Sequence, residues 1–166
     1  MSTQNLLEHN IATLNQALNI LDHVTRRRLA YGTEVGPHLR HVLEHYEGFV
    51  TGLAAGRIDY DARPRDRAVE TRIEVARQRI VDLIARLGEL ADDGPLPSHI
   101  QVRLASASDA PGLEAWSSPD RELQFLQSHA VHHFALIRLH LQACGEAPGD
   151  DFGKAPSTLR FEQVSA

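Results

Sequence analysis

Four stretches of the chain repeat apolar residues at intervals of three and four, and this periodicity constrains the fold most strongly. Such spacing places the apolar side chains on one face of an α-helix. The stretches span residues 3–24, 36–55, 65–90 and 119–143. The chain has 166 residues, enough for one domain with a hydrophobic core and too few for two. The sequence therefore predicts an all-α fold, a single domain over residues 1–166, with a four-helix bundle as its default architecture.

Boundary signals support these helix limits. Pro37 is placed in the first turn of the second helix, where its missing N–H costs nothing, and Gly56 ends that helix. Ser118 caps the fourth helix and Pro119 takes its first position, while Gly145 follows its end.

The connections differ greatly in length. "RIDYDARP" after the second helix predicts a loop. Residues 92–118 form a long connection between the third and fourth helices, in which "HIQVRLAS" alternates like a short strand. The tail, residues 145–166, is rich in Gly, Pro and Asp and is predicted to be irregular. The insert and the tail either cover a functional site or pack on the outside of the bundle, and the sequence leaves both possibilities open.

Composition excludes several classes of protein. The net charge of −5 gives no basic surface for nucleic acid. Cys144 is a single cysteine, so no intramolecular disulfide forms, and it lies about three turns beyond His133 on the fourth helix. No secretory signal and no apolar run long enough for a membrane span are present. The sequence predicts a cytoplasmic protein that binds neither nucleic acid nor membrane.

Histidine is the unusual component of this sequence. Seven of the ten histidines lie at 38–45 and 129–140. His129 and His133 are four residues apart on a helix, so both can face one ion. A third ligand would come from the second helix, which offers His38, His41 and His45 on one side. Three neutral imidazoles leave a coordination position open, which is typical of catalytic sites. The alternative is that these are ordinary half-exposed histidines with one hydrogen bond each.

Other polar residues near these segments have two interpretations each. Glu44 could orient a ligand imidazole or act as a base, but a solvated carboxylate is the simpler interpretation. Arg40 and Arg138 could bind an acidic substrate, although surface positions are favoured for both. His132 points away from the pair on the fourth helix and His140 lies two turns further along, so structural roles are predicted for them.

The segments "TEVGPHLRHVLEH" and "SHAVHHFALI" resemble the DinB/YfiT-like superfamily. That resemblance implies a four-helix bundle with one metal-binding histidine on the second helix and an H-x-x-x-H pair on the last. By this resemblance the metal ligands are His41, His129 and His133. His38 and His45 depart from the pattern as additional histidines, and they are supporting donors, alternative ligands or neutral bystanders.

The resemblance also implies a function. It predicts a metal-dependent enzyme of the hydrolase or thiol-dependent transferase type that uses Zn, Ni or Fe, with a low-molecular-weight thiol as a further cofactor in the thiol-dependent case. A small-molecule substrate and a homodimer are expected on the same ground. The alternatives are a non-catalytic metal-binding or stress-response protein and a dimeric interaction module without metal. A fourth protein ligand, such as His38 or His45, would favour a structural role for the ion.

Overall fold

Long helices dominate the computed structural model, which describes residues 2–105, 107 and 112–165. In these ranges the helices are α1 (Thr3–Arg27), α2 (Gly36–Ala55), α3 (Arg67–Thr71), α4 (Ile73–Asp92), α5 (Pro119–Ala143) and α6 (Pro156–Ser165), with a π-helical turn at Tyr31–Val35. The strands are β1 (Arg57–Asp59), β2 (Ile100–Leu104) and β3 (Leu113–Ser117). The all-α prediction is confirmed in its coarse form, because the chain is mostly helical, and the small sheet is an addition to it. Within the described ranges no helix combines the length and apolarity needed to cross a membrane.

The ends of α1 and α5 follow the capping signals in the sequence. Ser2 accepts a hydrogen bond from the Asn5 N–H, and Ser118 accepts one from the Arg121 N–H. These side chains satisfy amide groups that a helix leaves without internal partners. The bounds of α2 and α5 coincide with the predicted 36–55 and 119–143, whereas α1 continues to Arg27, beyond the predicted residue 24.

The predicted third helix over 65–90 is wrong as one element. The chain is extended at Arg72 (φ −120°, ψ 111°), which separates α3 from α4. The break brings α3 against the start of α2: the Tyr31 hydroxyl donates to the Val69 carbonyl at 2.7 Å. A Cβ added at Gly36 would lie 1.9 Å from the Glu70 carbonyl oxygen. The interruption thus accompanies a close approach of two backbones, which apolar periodicity does not encode.

The core lies between four helices, with α1 and α2 each packed against both α4 and α5. A set of buried hydrogen bonds links three of these helices. The Tyr46 hydroxyl donates to Asn10 Oδ1 at 2.6 Å, and Asn10 Nδ2 donates to the carbonyls of Leu6 and Leu123. Each of these polar atoms has a hydrogen-bond partner. The hydrogen bonds therefore fix the positions of α1, α2 and α5 relative to one another, in addition to the apolar packing.

Three strands form a sheet in the order β1-β2-β3. β1 pairs parallel with β2, with Ile58 opposite Val102, and β2 pairs antiparallel with β3. β2 agrees with the strand proposed for "HIQVRLAS". The prediction of a loop for "RIDYDARP" is wrong for Arg57–Asp59, which form β1, and holds for residues 60–64. Ile58 and Tyr60 are fully buried, so the edge of the sheet formed by β1 packs against the helices. Residues 106 and 108–111 of the predicted insert lie outside the described residues.

The tail is not wholly irregular, because α6 occupies Pro156–Ser165. Before it, Phe152 stacks on Phe134 of α5 at 5.1 Å between ring centroids. Gly153 has φ +70°, and a Cβ there would lie 2.6 Å from the Ala135 nitrogen, so glycine permits this contact. Arg138 donates to the carbonyls of Asp150 and Phe152. These contacts favour the hypothesis that the tail packs on the outside of α5.

Candidate metal centre

The histidines of α2 and α5 meet where these two helices pack together. Ligand nitrogens of His41, His45 and His129 all lie within 4.8 Å of one another. The ring of His133 has its centroid 4.7 Å from that of His41 and 4.7 Å from that of His129. We call these four residues the histidine cluster. It joins one face of α2, through residues four apart, to one face of α5 with the same spacing.

The structure brings all three predicted ligands into this cluster. The three residues whose ligand nitrogens lie within 4.8 Å of one another nevertheless include His45 in place of His133. His133 Nδ1 lies 2.9 Å from His38 Nδ1, so one ring donates and the other accepts. His38 therefore contacts the cluster through His133, in the supporting position proposed as one of its alternatives.

Hydrogen bonds determine which nitrogens are free for a ligand. His45 Nδ1 lies 2.7 Å from the His41 carbonyl oxygen, and because a carbonyl only accepts, Nδ1 donates and Nε2 retains its lone pair. His129 Nε2 is buried and has no hydrogen-bond partner among the described residues. A buried nitrogen without a partner is costly unless it binds something.

The cluster is held in its neutral form. Burial lowers the pKa of His41 to about 3, with further lowering by the charges of His45 and Arg63. Burial is also the main cause that lowers the pKa of His45, His129 and His133 to about 4. At neutral pH each ring thus has one lone pair and no charge, the form in which imidazole binds metals.

Two aromatic side chains form the wall of the cluster. Tyr60 stacks on His45 with ring centroids 5.4 Å apart, and Phe125 stacks on His129 at the same separation. Tyr60 is anchored by its hydroxyl, which donates to the buried Glu122 carboxylate at 2.9 Å. These contacts fix the imidazole planes and keep water from that side.

Arg63 approaches the cluster from the loop after β1, and sequence reasoning did not find it. Its Nη1 lies 2.6 Å from His41 Nδ1, and its Nε donates to the Tyr60 carbonyl at 2.8 Å. A guanidinium has no acceptor, so His41 Nδ1 must accept this bond. The only sequence signal for this residue was an arginine beside a proline, which is typical of a solvated turn.

Glu44 is buried, with 2% of its surface exposed, so the prediction of a solvated carboxylate is wrong. Its Oε1 accepts from the Asp66 N–H at 2.8 Å, at the start of α3. Its Oε2 lies 3.9 Å from Arg63 Nη1 and has no hydrogen-bond partner among the described residues. Glu44 therefore faces the cluster through Arg63 and does not touch the imidazoles in the way proposed for an orienting residue or a base.

The remaining candidates lie outside the cluster. His132 is exposed. His140 lies 3.6 Å from Glu34 and 3.7 Å from Cys144, at the end of α5. Arg40 forms an ion pair with Glu70 at 3.0 Å, so its charge is balanced by a carboxylate of the protein itself.

A cleft of about 370 Å³ lies between α2, β1 and the loop after β1. Glu44 and Arg63 both contribute to its lining, together with Gly48, Asp59 and Ala62. The pair formed by these two charged side chains therefore separates the cleft from His41.

Part of the chain is similar to a known protein. No protein-family model matches the chain, and no solved structure matches it. The chain is similar to a protein of Rhizopus delemar named FK506-binding protein 5, with 32% identity over 106 residues, which is 62% of this chain. The chain spans 27% of the length of that protein. The similarity therefore concerns a part of the Rhizopus protein and places the chain in no family.

Proposed function

We propose that the chain binds a divalent transition metal through the histidine cluster. The observation that carries this proposal is the convergence of three imidazole nitrogens from two helices within 4.8 Å. Two further features support it: His129 Nε2 is buried without a partner among the described residues, and the rings are neutral at physiological pH. A donor set of neutral imidazoles without thiolate suits Zn, Ni or Fe(II).

We further propose that the chain is a DinB-like four-helix bundle. The support is the order of the four long helices, the packing of α1 and α2 against both α4 and α5, and the positions of His41 and the His129/His133 pair. The sheet and α6 are additions to that minimal bundle.

The function that this site supports best is that of a metal-dependent enzyme of the hydrolase or thiol-dependent transferase type. With three protein ligands a coordination position remains for a small-molecule substrate, for water or for a low-molecular-weight thiol. A bound metal would lower the pKa of such a water or thiol and so supply a nucleophile at neutral pH. The aromatic wall excludes water from one side, and Arg63 brings a positive charge to the other.

A non-catalytic metal-binding role is the second candidate, and it is favoured by one observation. His133 is close enough to His41 and His129 to become a fourth ligand after a small movement. Four protein ligands would close the site, as in structural zinc centres. A homodimer is proposed on the DinB-like resemblance alone.

Metal analysis tests the site. Purified wild-type protein should contain a transition metal in stoichiometric amount, and His41→Ala and His129→Ala should each lose it. His132→Ala is the matched control, because His132 is an exposed histidine on the same helix, and it should retain the metal. Metal that persists in both cluster variants, or a wild type that binds none after reconstitution, would overturn the proposal.

A second experiment separates the two candidate roles. In Co²⁺-substituted protein, azide should change the visible absorption spectrum if a coordination position is open. A spectrum that azide leaves unchanged at high concentration would indicate four protein ligands and favour the non-catalytic role.

A further inference from the structure

Arg63 and a metal ion require the same electron pair. A neutral imidazole has one lone pair, and in the structure that of His41 accepts the hydrogen bond from Arg63 Nη1 at 2.6 Å. A metal on Nδ1 would take the place of the guanidinium. A metal on Nε2 would require the ring proton to move to Nδ1, where it would meet the Arg63 N–H. In either geometry His41 becomes a ligand only after Arg63 has left it.

Glu44 offers the guanidinium another partner within short reach. Its Oε2 lies 3.9 Å from the same Nη1 and is without a hydrogen-bond partner among the described residues. Charged hydrogen bonds of this kind are about 2.8 Å long, so a shift of about 1 Å would form one. The Glu44 carboxylate stays in place during this shift, because the Asp66 N–H holds its other oxygen.

The surroundings allow this movement. Arg63 Nε is tied to the Tyr60 carbonyl, so the planar guanidinium can rock as one unit about this hydrogen bond through small changes in the side-chain torsions. Both side chains line the cleft of about 370 Å³, which provides space for this movement. Repulsion between a divalent cation and the guanidinium drives it in the same direction.

We propose that Arg63 is a positioning residue that competes with the metal for His41, and that metal binding moves its guanidinium from His41 Nδ1 to Glu44 Oε2. This inference rests on the proposed metal site. It gives the buried Glu44 a role: its carboxylate receives the displaced guanidinium, so that the positive charge of Arg63 is never buried without a partner. Arg63 thereby sets the metal affinity of the site and couples metal binding to the shape of the adjoining cleft.

Metal titration of full-length variants tests the competition. Arg63→Met removes the donor and keeps a side chain of similar length. Chelator-treated Arg63→Met should bind Zn²⁺ about 10- to 100-fold more tightly than wild type in a competition titration, because a charged hydrogen bond no longer has to be broken. Arg65→Met is the matched control, since it removes an exposed arginine of the same loop, and it should change the affinity much less.

Glu44→Gln tests the destination of the guanidinium. This substitution should weaken Zn²⁺ binding when Arg63 is present. It should have little effect in the Arg63→Met variant, because that variant has no guanidinium that moves to Glu44. Equal effects of Glu44→Gln in both backgrounds would overturn the movement to Glu44.

A third measurement does not depend on metal. Nitrogen-15 NMR of chelator-treated wild type should show His41 protonated on Nε2 and not on Nδ1, and Arg63→Met should reduce this preference. A wild type protonated on Nδ1, or an Arg63→Met variant that binds Zn²⁺ no more tightly than wild type, would overturn the inference and leave the metal site standing. Absence of Zn²⁺ binding in both proteins would overturn the proposed function and, with it, the competition.

Discussion

Replacing His45 with phenylalanine is expected to weaken metal binding more than the same replacement at His133. His45 belongs to the set of nitrogens within 4.8 Å, and its Nδ1 bond to the His41 carbonyl leaves Nε2 free. His133 lies outside that set and shares its Nδ1 with His38. Phenylalanine retains the ring that stacks on Tyr60 and removes both nitrogens.

The size of each effect follows from these positions. Losing a group that only supports the ligands costs about 10- to 100-fold in metal affinity, or about 1.4–2.8 kcal/mol. We therefore expect His133→Phe to raise the Kd for Zn²⁺ by about 10- to 100-fold. His45→Phe would remove a ligand of the proposed metal site and should raise the Kd for Zn²⁺ by more than about 100-fold.

Competition of the protein with a chromophoric chelator for Zn²⁺ measures both values. Circular dichroism checks that each variant is folded, and His45→Ala provides a second variant if the larger ring disturbs packing. His132→Phe, at an exposed site on α5, should leave the Kd unchanged. A larger loss for His133→Phe than for His45→Phe would refute the reasoning and restore His41, His129 and His133 as the ligands. Losses above 100-fold in both would mean four ligands and contradict the open position.

Three further predictions concern the fold. Tyr46→Phe leaves the buried Asn10 Oδ1 without its donor and should lower the free energy of unfolding by about 1–3 kcal/mol in urea titrations; an unchanged midpoint would contradict the role of this bond. Gly36→Ala places a Cβ 1.9 Å from the Glu70 carbonyl oxygen and should cost about 1–3 kcal/mol or more, whereas Gly88→Ala, which meets nothing within 4 Å, should stabilise its helix by up to about 1 kcal/mol. In chelator-treated protein the pKa values of the histidine cluster, about 3 to 4 when folded, lie below the ordinary 6.5, so the unfolded chain binds more protons and the urea midpoint should fall as the pH drops from 6.5 to 4. A midpoint constant over that range would show that the histidines are not buried as described.

The helices that carry the site could be predicted because their signals are local. Apolar residues three and four apart define the core faces of α2 and α5, and a proline at the start and a glycine after the end define their bounds. Each of these signals lies within the helix or directly beside it in the sequence. The same periodicity places His41 on one helix and His129 on the other, beside the apolar stripe through which the helices pack. Spacing could not decide between His45 and His133, because both lie four residues from a cluster histidine and the choice depends on the rotation of each helix.

The surroundings of the cluster could not be predicted, because they depend on contacts between distant segments. Arg63 reaches His41 only because β1 pairs with β2 and fixes the loop that follows it. Glu44 is buried because α3 folds back over it, and α3 is a separate helix only because of the extended Arg72. Read alone, an acid on a helix flank and an arginine before a proline are typical of solvated positions.

The parallel pairing of β1 with β2 has a consequence for the order of folding. Arg57 faces Gln101, so the pair closes only after more than 40 intervening residues, including α3 and α4, have found their places. Contacts across such a sequence separation carry a large loop-closure entropy and form slowly. The interface of α2 and α5 joins residues that are further apart, because His41 and His129 are 88 positions from one another (129 − 41). On the same argument we expect this interface to form after the strand pair that positions Tyr60 and Arg63. A newly made chain would then pass through a stage in which Arg63 is already in place before the histidines of α5 arrive, and a metal that enters after that stage would meet competition from the arginine.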